Sequence, residues 1–327
     1  MANAFHLPDL GGATPWSGLD KLPDSDREFR FALLSDRTGE ARPGVFERAI
    51  EVTNLLRPDF VIQVGDLIEG YTRDPAELER QWSEIDTILG QLEAPLFRVS
   101  GNHDASNPLM RSEWDRRHGA GYYHFRYRDV LFLVLDTQDP PQTMADFIDL
   151  SRPFGERTVG DVIGDRRRLQ RTDPAAAVAI VEAMTDWDGK MPANFSEAQL
   201  NWAEGVLAEH ADARWTFVCL HMPIWQGNHP AFDRLHTALG DRPHTWFSGH
   251  VHNYRRTVLD GHDHIRLGPT GGLWVISGDE GNFDHVTMVT MTADGPRLAN
   301  IVLDGVLDAA GGVFAPPPRL AATMPGE

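Results

Sequence analysis

The chain has 327 residues, of which 41% are hydrophobic and 24% charged, a composition typical of globular proteins. Its formal net charge of −18 disfavours a nucleic-acid partner, because an acidic surface repels phosphate backbones. The sequence shows neither a signal peptide nor an apolar run of the roughly 18 residues that span a bilayer, so it predicts a cytoplasmic protein without a membrane partner. The oligomeric state stays unknown.

Predicted strands and helices alternate in the first half of the chain. Residues 1–27 contain spaced prolines and glycines and predict an extended N-terminal arm. Apolar runs and helical periodicity predict strands at residues 29–35, 60–64 and 96–99, helices at 43–56 and 75–92, and a strand hairpin at 122–127 and 130–135. This alternation is typical of an α/β fold.

The second half of the chain is interrupted before its strands resume. Residues 138–195 contain no clear buried strand and are interpreted as an insertion, followed by a helix over 197–209 with Ser196 as its N-cap. Strands are then expected at residues 215–220, 246–247, 273–277, 286–292 and 297–303, the last two forming a second sheet packed on the first. We therefore divide the chain into the arm at 1–27, one domain at 28–300, and a strand end with a mobile tail at 301–327.

Five short polar blocks stand where predicted strands end. A carboxylate, amide or imidazole just past a buried strand lies at the carboxyl edge of the sheet, where open α/β folds place their sites. In chain order the blocks are Ser35-Asp36-Arg37-Thr38, Gly65-Asp66, Gly101-Asn102-His103-Asp104, Leu220-His221-Met222-Pro223 and Gly249-His250-Val251-His252. One block alone would be a weak signal, whereas five in this order predict a paired metal centre.

In their order and residue types these blocks resemble the calcineurin-like metallophosphoesterase family, a superfamily that includes the purple acid phosphatases. The resemblance extends from about residue 29 to residue 299 as separate blocks rather than continuous identity. It implies a four-layer α/β/β/α sandwich of two mixed sheets flanked by helices. It also implies a hydrolase acting on phosphoric ester bonds.

The resemblance further implies how two metal ions share the ligands. Asp66 is the bridge, since one carboxylate has two oxygens and can hold two cations. One metal would take Asp66, Asn102, His221 and His250, and the other would take Asp36, Asp66 and His252. Mixed nitrogen and oxygen ligands favour Mn, Fe, Zn or Ni over Ca or Mg.

Thr38 departs from the family pattern, in which the first block commonly ends in histidine. Threonine is a poor ligand at neutral pH, so the Asp36 metal loses a nitrogen donor. That metal keeps three protein ligands and more water, or takes an oxygen from Glu69 or Tyr71, or is absent. We favour a dinuclear site with an oxygen-rich first position.

The implied mechanism is attack on phosphorus by a hydroxide that bridges the metals. By resemblance His103 contacts the phosphate or protonates the leaving oxygen, a role that suits a side chain titrating near neutrality. Asp104 either orients His103 or supports the ligands. Arg37 contacts phosphate or forms an outward salt bridge.

The acidic chain favours a small phosphoester or nucleotide as substrate, with monoesters and diesters equally open. The alternative is a degenerate member that binds a metal or a partner without turnover, which Thr38 keeps open. Four arginines of the insertion either contact substrate phosphates or form a solvated face: Arg166, Arg167, Arg168 and Arg171.

The remaining histidines and the single cysteine are assigned no catalytic role. His262 and His264 flank Asp263 near glycine and predict a surface loop, with a third metal site as the alternative. His236 and His244 have no spacing that argues for ligation, and His229 could line the cleft. Cys219 lies within a predicted strand and is expected to be a small core residue.

Overall fold

The computed structural model describes residues 5–19, 28–150, 165, 168–169, 172–180, 192–227, 229–273 and 281–303. Several predictions lie outside these residues, namely the strand at 273–277 beyond its first residue, the tail at 304–327, and the arginines Arg166, Arg167 and Arg171. None of the helices in the described ranges has both the length and the apolar character needed to cross a bilayer.

The described part of the fold includes fifteen strands, seven helices whose bounds follow, and a helical stretch at residues 174–180. The strands are β1 (Phe5–His6), β2 (Trp16–Ser17), β3 (Phe29–Leu34), β4 (Phe60–Gln63), β5 (Leu96–Arg98), β6 (Tyr123–Tyr127), β7 (Val130–Val134), β8 (Gln138–Asp139), β9 (Asn194–Phe195), β10 (Trp215–Cys219), β11 (His244–Ser248), β12 (Arg255–Leu259), β13 (His262–Arg266), β14 (His285–Thr292) and β15 (Gly295–Val302). The helices are α1 (Val45–Leu56), α2 (Pro75–Leu89), α3 (Asn102–Ala105), α4 (Pro108–His118), α5 (Met144–Leu150), α6 (Glu197–Glu209) and α7 (Pro230–Leu239), and a 3-10 helix covers Ile224–Gln226.

Two mixed sheets form the centre of the molecule. The first has the strand order β15-β14-β3-β4-β5-β2, and the second has the order β1-β6-β7-β10-β11-β13-β12. Within the first sheet β3, β4 and β5 are parallel neighbours, and within the second β7, β10, β11 and β13 are parallel neighbours. The carboxyl ends of both parallel sets therefore supply the edges at which a site can form.

Three hydrophobic clusters divide these sheets and helices into four layers. Aromatic side chains from both sheets fill the space between them, with the rings of Phe31 and Phe60 stacked 5.3 Å apart and Phe31 against Phe217 at 5.0 Å. Helices α1, α2 and α4 cover the outer face of the first sheet, and α6 and α7 cover the second. This arrangement confirms the predicted four-layer α/β/β/α sandwich.

The last hairpin belongs to a different sheet from the one the sequence predicted. Strands β14 and β15 pair with each other, and β14 pairs antiparallel with β3, so the hairpin extends the sheet that contains the first strands. The partner sheet is built instead from β6, β7, β10 and β11. Apolar periodicity predicts that a strand is buried but carries no information about its neighbour, which explains this error.

The predicted loop around His262 and His264 is also wrong. Both residues lie in β13, and His264 is fully buried. The glycine that suggested a loop, Gly261, has a φ of 82° and forms the turn between β12 and β13. The turn was therefore real, but it is short and joins two paired strands.

Described residues of the predicted arm and insertion are fastened to the sheets. In the arm, β1 pairs with β6 and β2 pairs with β5, so residues 5–19 touch both sheets. At the ends of the insertion, β8 pairs with β9 through Gln138 and Asn194. Both segments thus begin or end on the framework that carries the polar blocks.

Candidate metal centre

Two groups of side chains that could hold a metal ion lie at the carboxyl edge of the two sheets and share one residue. Asp66, His221 and His250 form one group, and Asp36, Asp66 and His252 form the other. Within each group the available ligand atoms lie within 4.8 Å of one another. Asp36 and Asp66 follow strands of the first sheet, whereas the histidines follow strands of the second. The centre therefore exists only where the two sheets meet.

Asp66 is held between the two groups by its own loop. Its Oδ2 atom lies 3.1 Å from His221 Nε2, and its Oδ1 atom accepts the backbone N–H of His103 at 3.0 Å. The residue has a φ of 60°, a left-handed conformation that aspartate tolerates better than most side chains. This turn directs a buried carboxylate toward the opposite sheet.

Asp104 lies behind Asp66 and supports its backbone. One Asp104 oxygen accepts the N–H groups of Gly101 at 3.0 Å and Asp66 at 2.7 Å. The other accepts those of Leu67 at 2.9 Å and Ile68 at 3.3 Å. Of the two roles that the sequence left open, this geometry corresponds to support of the ligand loop.

Backbone carbonyl groups orient two of the candidate imidazole ligands. Nδ1 of His221 lies 2.8 Å from the Val64 carbonyl, and Nδ1 of His252 lies 2.5 Å from that of Leu273. A proton on Nδ1 donates to the carbonyl, so Nε2 is the atom left to bind a cation. His250 is placed differently, since its backbone N–H donates to Asp36 Oδ1 at 2.8 Å.

Opposite charges keep the two carboxylates ionised. Burial raises the pKa of Asp66, but His221 and His103 lower it more, so the pKa lies below its ordinary value. Burial likewise opposes ionisation of Asp36, whose pKa is lowered chiefly by His252. Burial lowers the pKa of His221, but Asp66 raises it to about 10. Because metals bind deprotonated imidazole, a cation at this centre would displace a proton.

Asn102 provides the clearest test of whether these residues fit a metal. The residue is fully buried, and its Nδ2 group donates to the Tyr71 hydroxyl at 2.6 Å. Its Oδ1 atom has no hydrogen-bond partner in the part of the chain that the structure describes. A buried carbonyl oxygen without a donor is costly unless a cation binds it, so the donor set fits a metal centre.

His103 lies at the edge of the centre. Its Nδ1 atom is 2.7 Å from the Glu69 carbonyl, and its Nε2 atom is 3.9 Å from Asp66 Oδ2. The Tyr71 ring packs against its imidazole with the ring centres 4.4 Å apart. These contacts hold Nε2 beside the bridging carboxylate.

Two positions in the blocks require glycine, because a proposed ligand lies too close to leave room for a Cβ atom. A Cβ atom on Gly101 would overlap Asp66 Oδ1 and lie 2.5 Å from Asp66 N. Gly65 has a φ of 98°, and a Cβ atom there would lie 2.5 Å from His221 Nδ1. The glycines next to the proposed ligands therefore leave space for the ligands themselves.

Both candidate replacements for the missing histidine, Glu69 and Tyr71, already form hydrogen bonds with other residues. Thr38 is buried, and its hydroxyl finds no hydrogen-bond partner among the described residues. The Glu69 carboxylate accepts the backbone N–H groups of Glu40 at 3.1 Å and Ala41 at 2.7 Å. The Tyr71 hydroxyl is hydrogen-bonded to Asn102, a proposed ligand of the other metal. The described residues therefore offer three potential ligands at the first position, namely Asp36, Asp66 and His252.

Other candidate residues have partners away from the centre. Arg37 forms an ion pair with Glu84 and donates to the Leu67 carbonyl at 3.1 Å, as in the salt-bridge alternative. His229 is the N-cap of α7, where its Nδ1 accepts the N–H of Ala231. Arg168 is exposed and pairs with Asp165 at 3.2 Å.

Asp136, which the sequence analysis did not single out, supports the third block by accepting a hydrogen bond from the residue before it. It is buried past the end of β7, accepts the Ser100 hydroxyl at 2.8 Å and pairs with Arg111. Ser100 immediately precedes Gly101. A carboxylate directly after the apolar run 130–135 was the available signal, since it follows the same pattern as the five blocks.

Comparison with known proteins identifies relatives for this arrangement. The family model for calcineurin-like phosphoesterases matches residues 29–254. The serine/threonine-protein phosphatase CPPED1 of Bos taurus is 35% identical over 99 residues, which is 28% of this chain and 31% of that protein. The match thus spans about a third of the relative's length.

Solved structures show the same fold at low identity. A dimetal phosphatase from Danio rerio superposes with a TM-score of 0.55 and 18% identity, covering 85% of this chain and all of that one. Purple acid phosphatase PPD1 from yellow lupin seeds gives a TM-score of 0.51 and 13% identity, covering 89% of this chain and 53% of that one.

Proposed function

This chain belongs to the calcineurin-like phosphoesterase family, and from that membership we propose that it is a metal-dependent phosphoric ester hydrolase. The single observation that carries the proposal is the sharing of Asp66 by two groups of convergent ligand atoms. One carboxylate shared by two imidazole-containing groups can hold a pair of cations close together.

The chain's own residues account for binding two cations. Asp66, Asn102, His221 and His250 would hold one, and Asp36, Asp66 and His252 the other. A bound pair of Mn, Fe, Zn or Ni ions would supply positive charge for the phosphoryl oxygens and lower the pKa of water. The backbone contacts to Asp104, Val64 and Leu273 would hold the ligands in place.

His103 is proposed to transfer a proton to the leaving oxygen. Because its Nδ1 donates to the Glu69 carbonyl, Nε2 is the atom that can carry the transferred proton. That atom lies 3.9 Å from Asp66 Oδ2, so His103 is placed beside the proposed pair of cations.

We propose a small phosphoester or nucleotide as the substrate class. The net charge of −18 opposes polyanions, and the cations would make only the site itself attractive to phosphate. The name of the bovine relative adds phosphoserine and phosphothreonine as compounds to assay. A non-catalytic metal-binding member remains the second candidate, because the first position carries Thr38.

Hydrolysis of p-nitrophenyl phosphate and bis-p-nitrophenyl phosphate in the presence of Mn²⁺ tests this proposal. We expect His103→Ala to lower kcat about 100-fold or more at unchanged metal content, as loss of a proton donor does. His6→Ala, on the exposed end of β1, is the matched control and should retain full activity.

Equal turnover by wild type and His103→Ala would rule out the proton-donor role. Absence of turnover on every ester, despite two bound metals per chain, would favour the non-catalytic alternative.

A further inference from the structure

A second group of histidines lies at the opposite end of the second sheet. His236 is near the end of α7, His244 begins β11, and His264 is in the middle of β13. Each offers a ring nitrogen, and the three atoms lie within 4.8 Å of one another. His244 and His264 are buried, whereas the His236 side chain keeps 25% of its surface exposed.

One nitrogen of each ring is already hydrogen-bonded to an oxygen atom. Nδ1 of His244 lies 2.7 Å from the Arg242 carbonyl, and Nδ1 of His264 lies 3.1 Å from that of His262. Nε2 of His236 lies 2.9 Å from the Asp260 carboxylate. Such contacts are those that fix the tautomer of metal-binding histidines.

The other nitrogen of each ring is buried without a partner. Within the described residues, no hydrogen bond reaches His236 Nδ1, His244 Nε2 or His264 Nε2. Three neighbouring buried acceptors without donors are a costly arrangement for a protein interior. A cation bound by all three would remove that cost in one step.

We propose that His236, His244 and His264 bind one Zn²⁺ ion. Three neutral imidazoles with a fourth position open to water is a known zinc ligand set, and the partly exposed side of His236 gives access.

A group of histidines is ordinarily explained by aromatic packing, and two of these three rings do stack on aromatic neighbours. Trp246 stacks on His264 with ring centres 5.7 Å apart, and His262 stacks on His244 at 3.7 Å. These contacts use the ring faces. The unpartnered nitrogens lie in the ring planes, so stacking leaves them without a hydrogen-bond donor or a cation.

The zinc site is separate from the candidate metal centre. His244 begins β11, and His250 follows its far end, so about 20 Å of extended chain lies between the two. The inference therefore does not depend on the proposed hydrolase activity. A zinc ion here would fasten the end of α7 to β11 and β13.

Zinc content measured by elemental analysis tests the inference. All variants carry Asp66→Asn, which weakens metal binding at the candidate metal centre. Each histidine substitution is then compared with the Asp66→Asn protein after equilibration with the same zinc concentration. Adding His236→Gln or His264→Gln should lower the content by one zinc per chain. His229→Gln, at the other end of α7, is the matched control and should retain that zinc.

Two further measurements separate binding from a folding defect. Zinc should raise Tm in the Asp66→Asn protein and in its His229→Gln derivative, and this rise should vanish with His236→Gln, a partly exposed position. Asp260→Asn should weaken zinc affinity about 10-fold or more, because it removes the negative charge from the hydrogen-bond partner of His236 Nε2. Equal zinc content and equal Tm shifts in the His236→Gln and His229→Gln proteins would overturn the inference.

Discussion

At the scale of single residues, the candidate metal centre depends on small side chains as much as on its ligands. Gly101 and Gly65 occupy positions where a Cβ atom would overlap Asp66 or His221. Asp104 and Asp136 bind nothing in the proposed site, yet they hold the loops that carry Asp66 and Gly101. Mutations outside the ligand set should therefore impair the centre.

Gly101→Ala tests this dependence on space. We expect turnover to fall about 100-fold and metal content to drop, because the new methyl group must displace the Asp66 carboxylate by about 1 Å. Gly205→Ala is the matched control, since nothing in the described structure lies within 4 Å of a Cβ atom there. Its position inside α6 should make that change stabilising by up to about 1 kcal/mol.

Activity and metal content can be measured on both alanine variants side by side. Full metal content in Gly101→Ala would show that Asp66 tolerates the methyl group and would contradict the prediction.

Cys219 should be chemically inert in the folded protein. It is fully buried in β10, and burial raises the pKa of its thiol well above its ordinary value, whereas the thiolate is the reactive form. We expect no reaction with a disulfide reagent at pH 8 under native conditions and one thiol per chain in concentrated urea. Rapid labelling of the native protein would mean that β10 opens readily.

At the scale of elements, caps and turns define how the blocks are presented. Helix α4 follows the third block almost directly, and its N-cap Asn107 accepts the N–H groups of Leu109 and Met110, both at 3.0 Å. The same side chain donates to the Thr72 carbonyl at 3.1 Å, in the loop that carries Tyr71. This cap thus joins two segments of the site.

Asn107→Ala is expected to cost more than the loss of an ordinary helix cap. Removal of a cap costs about 1 kcal/mol, and the buried contact to Thr72 adds to that loss. Asp74→Ala is the control, because Asp74 caps α2 through one exposed hydrogen bond to Ala76. Urea unfolding of both variants gives the comparison, and an equal loss of unfolding free energy would contradict it.

Element positions were predicted more reliably from the sequence than element neighbours were. Helix α6 begins after its predicted cap Ser196, and the strands before Asp36, Asp66 and His221 are where the apolar runs placed them. The pairing of β14 with β3 and the burial of His264 were not foreseen. Both features depend on which strand is the neighbour in the sheet. Contacts between neighbouring strands leave no pattern in the local sequence.

At the scale of the whole molecule, buried neutral histidines link stability to pH. Burial lowers the pKa of His285 from 6.5 to about 4 and that of His124 to about 4. Between about pH 6.5 and pH 4 the unfolded chain binds protons that the folded chain excludes. The free energy of unfolding should therefore decrease as the pH falls through this range.

Urea unfolding between pH 7 and pH 5, above most carboxylate titrations, measures this effect. His285, almost fully buried at the start of β14, should account for up to about 2 kcal/mol by pH 5, and His285→Gln should flatten the pH dependence accordingly. A variant with the same slope as wild type would show that His285 is not the responsible group.

The sequence by itself determined the fold class, the family and the residue types of the blocks. Each block is a local signal, because a strand must be apolar to be buried and a ligand must be polar where the strand ends. The proposed ligand set of Asp36, Asp66, Asn102, His221, His250 and His252 follows from that local order, as does the departure at Thr38.

Only the tertiary structure decided what lies across from each block. It joins two groups of candidate ligands at Asp66 and places the Asp104 carboxylate against the backbone of that residue. It also pairs Arg37 with Glu84 in a salt bridge. It also gathers His236, His244 and His264, which no spacing along the chain relates. The physical reason is that contact between sheets depends on distances of a few ångströms between residues far apart in sequence, and periodicity describes only the neighbours along the chain.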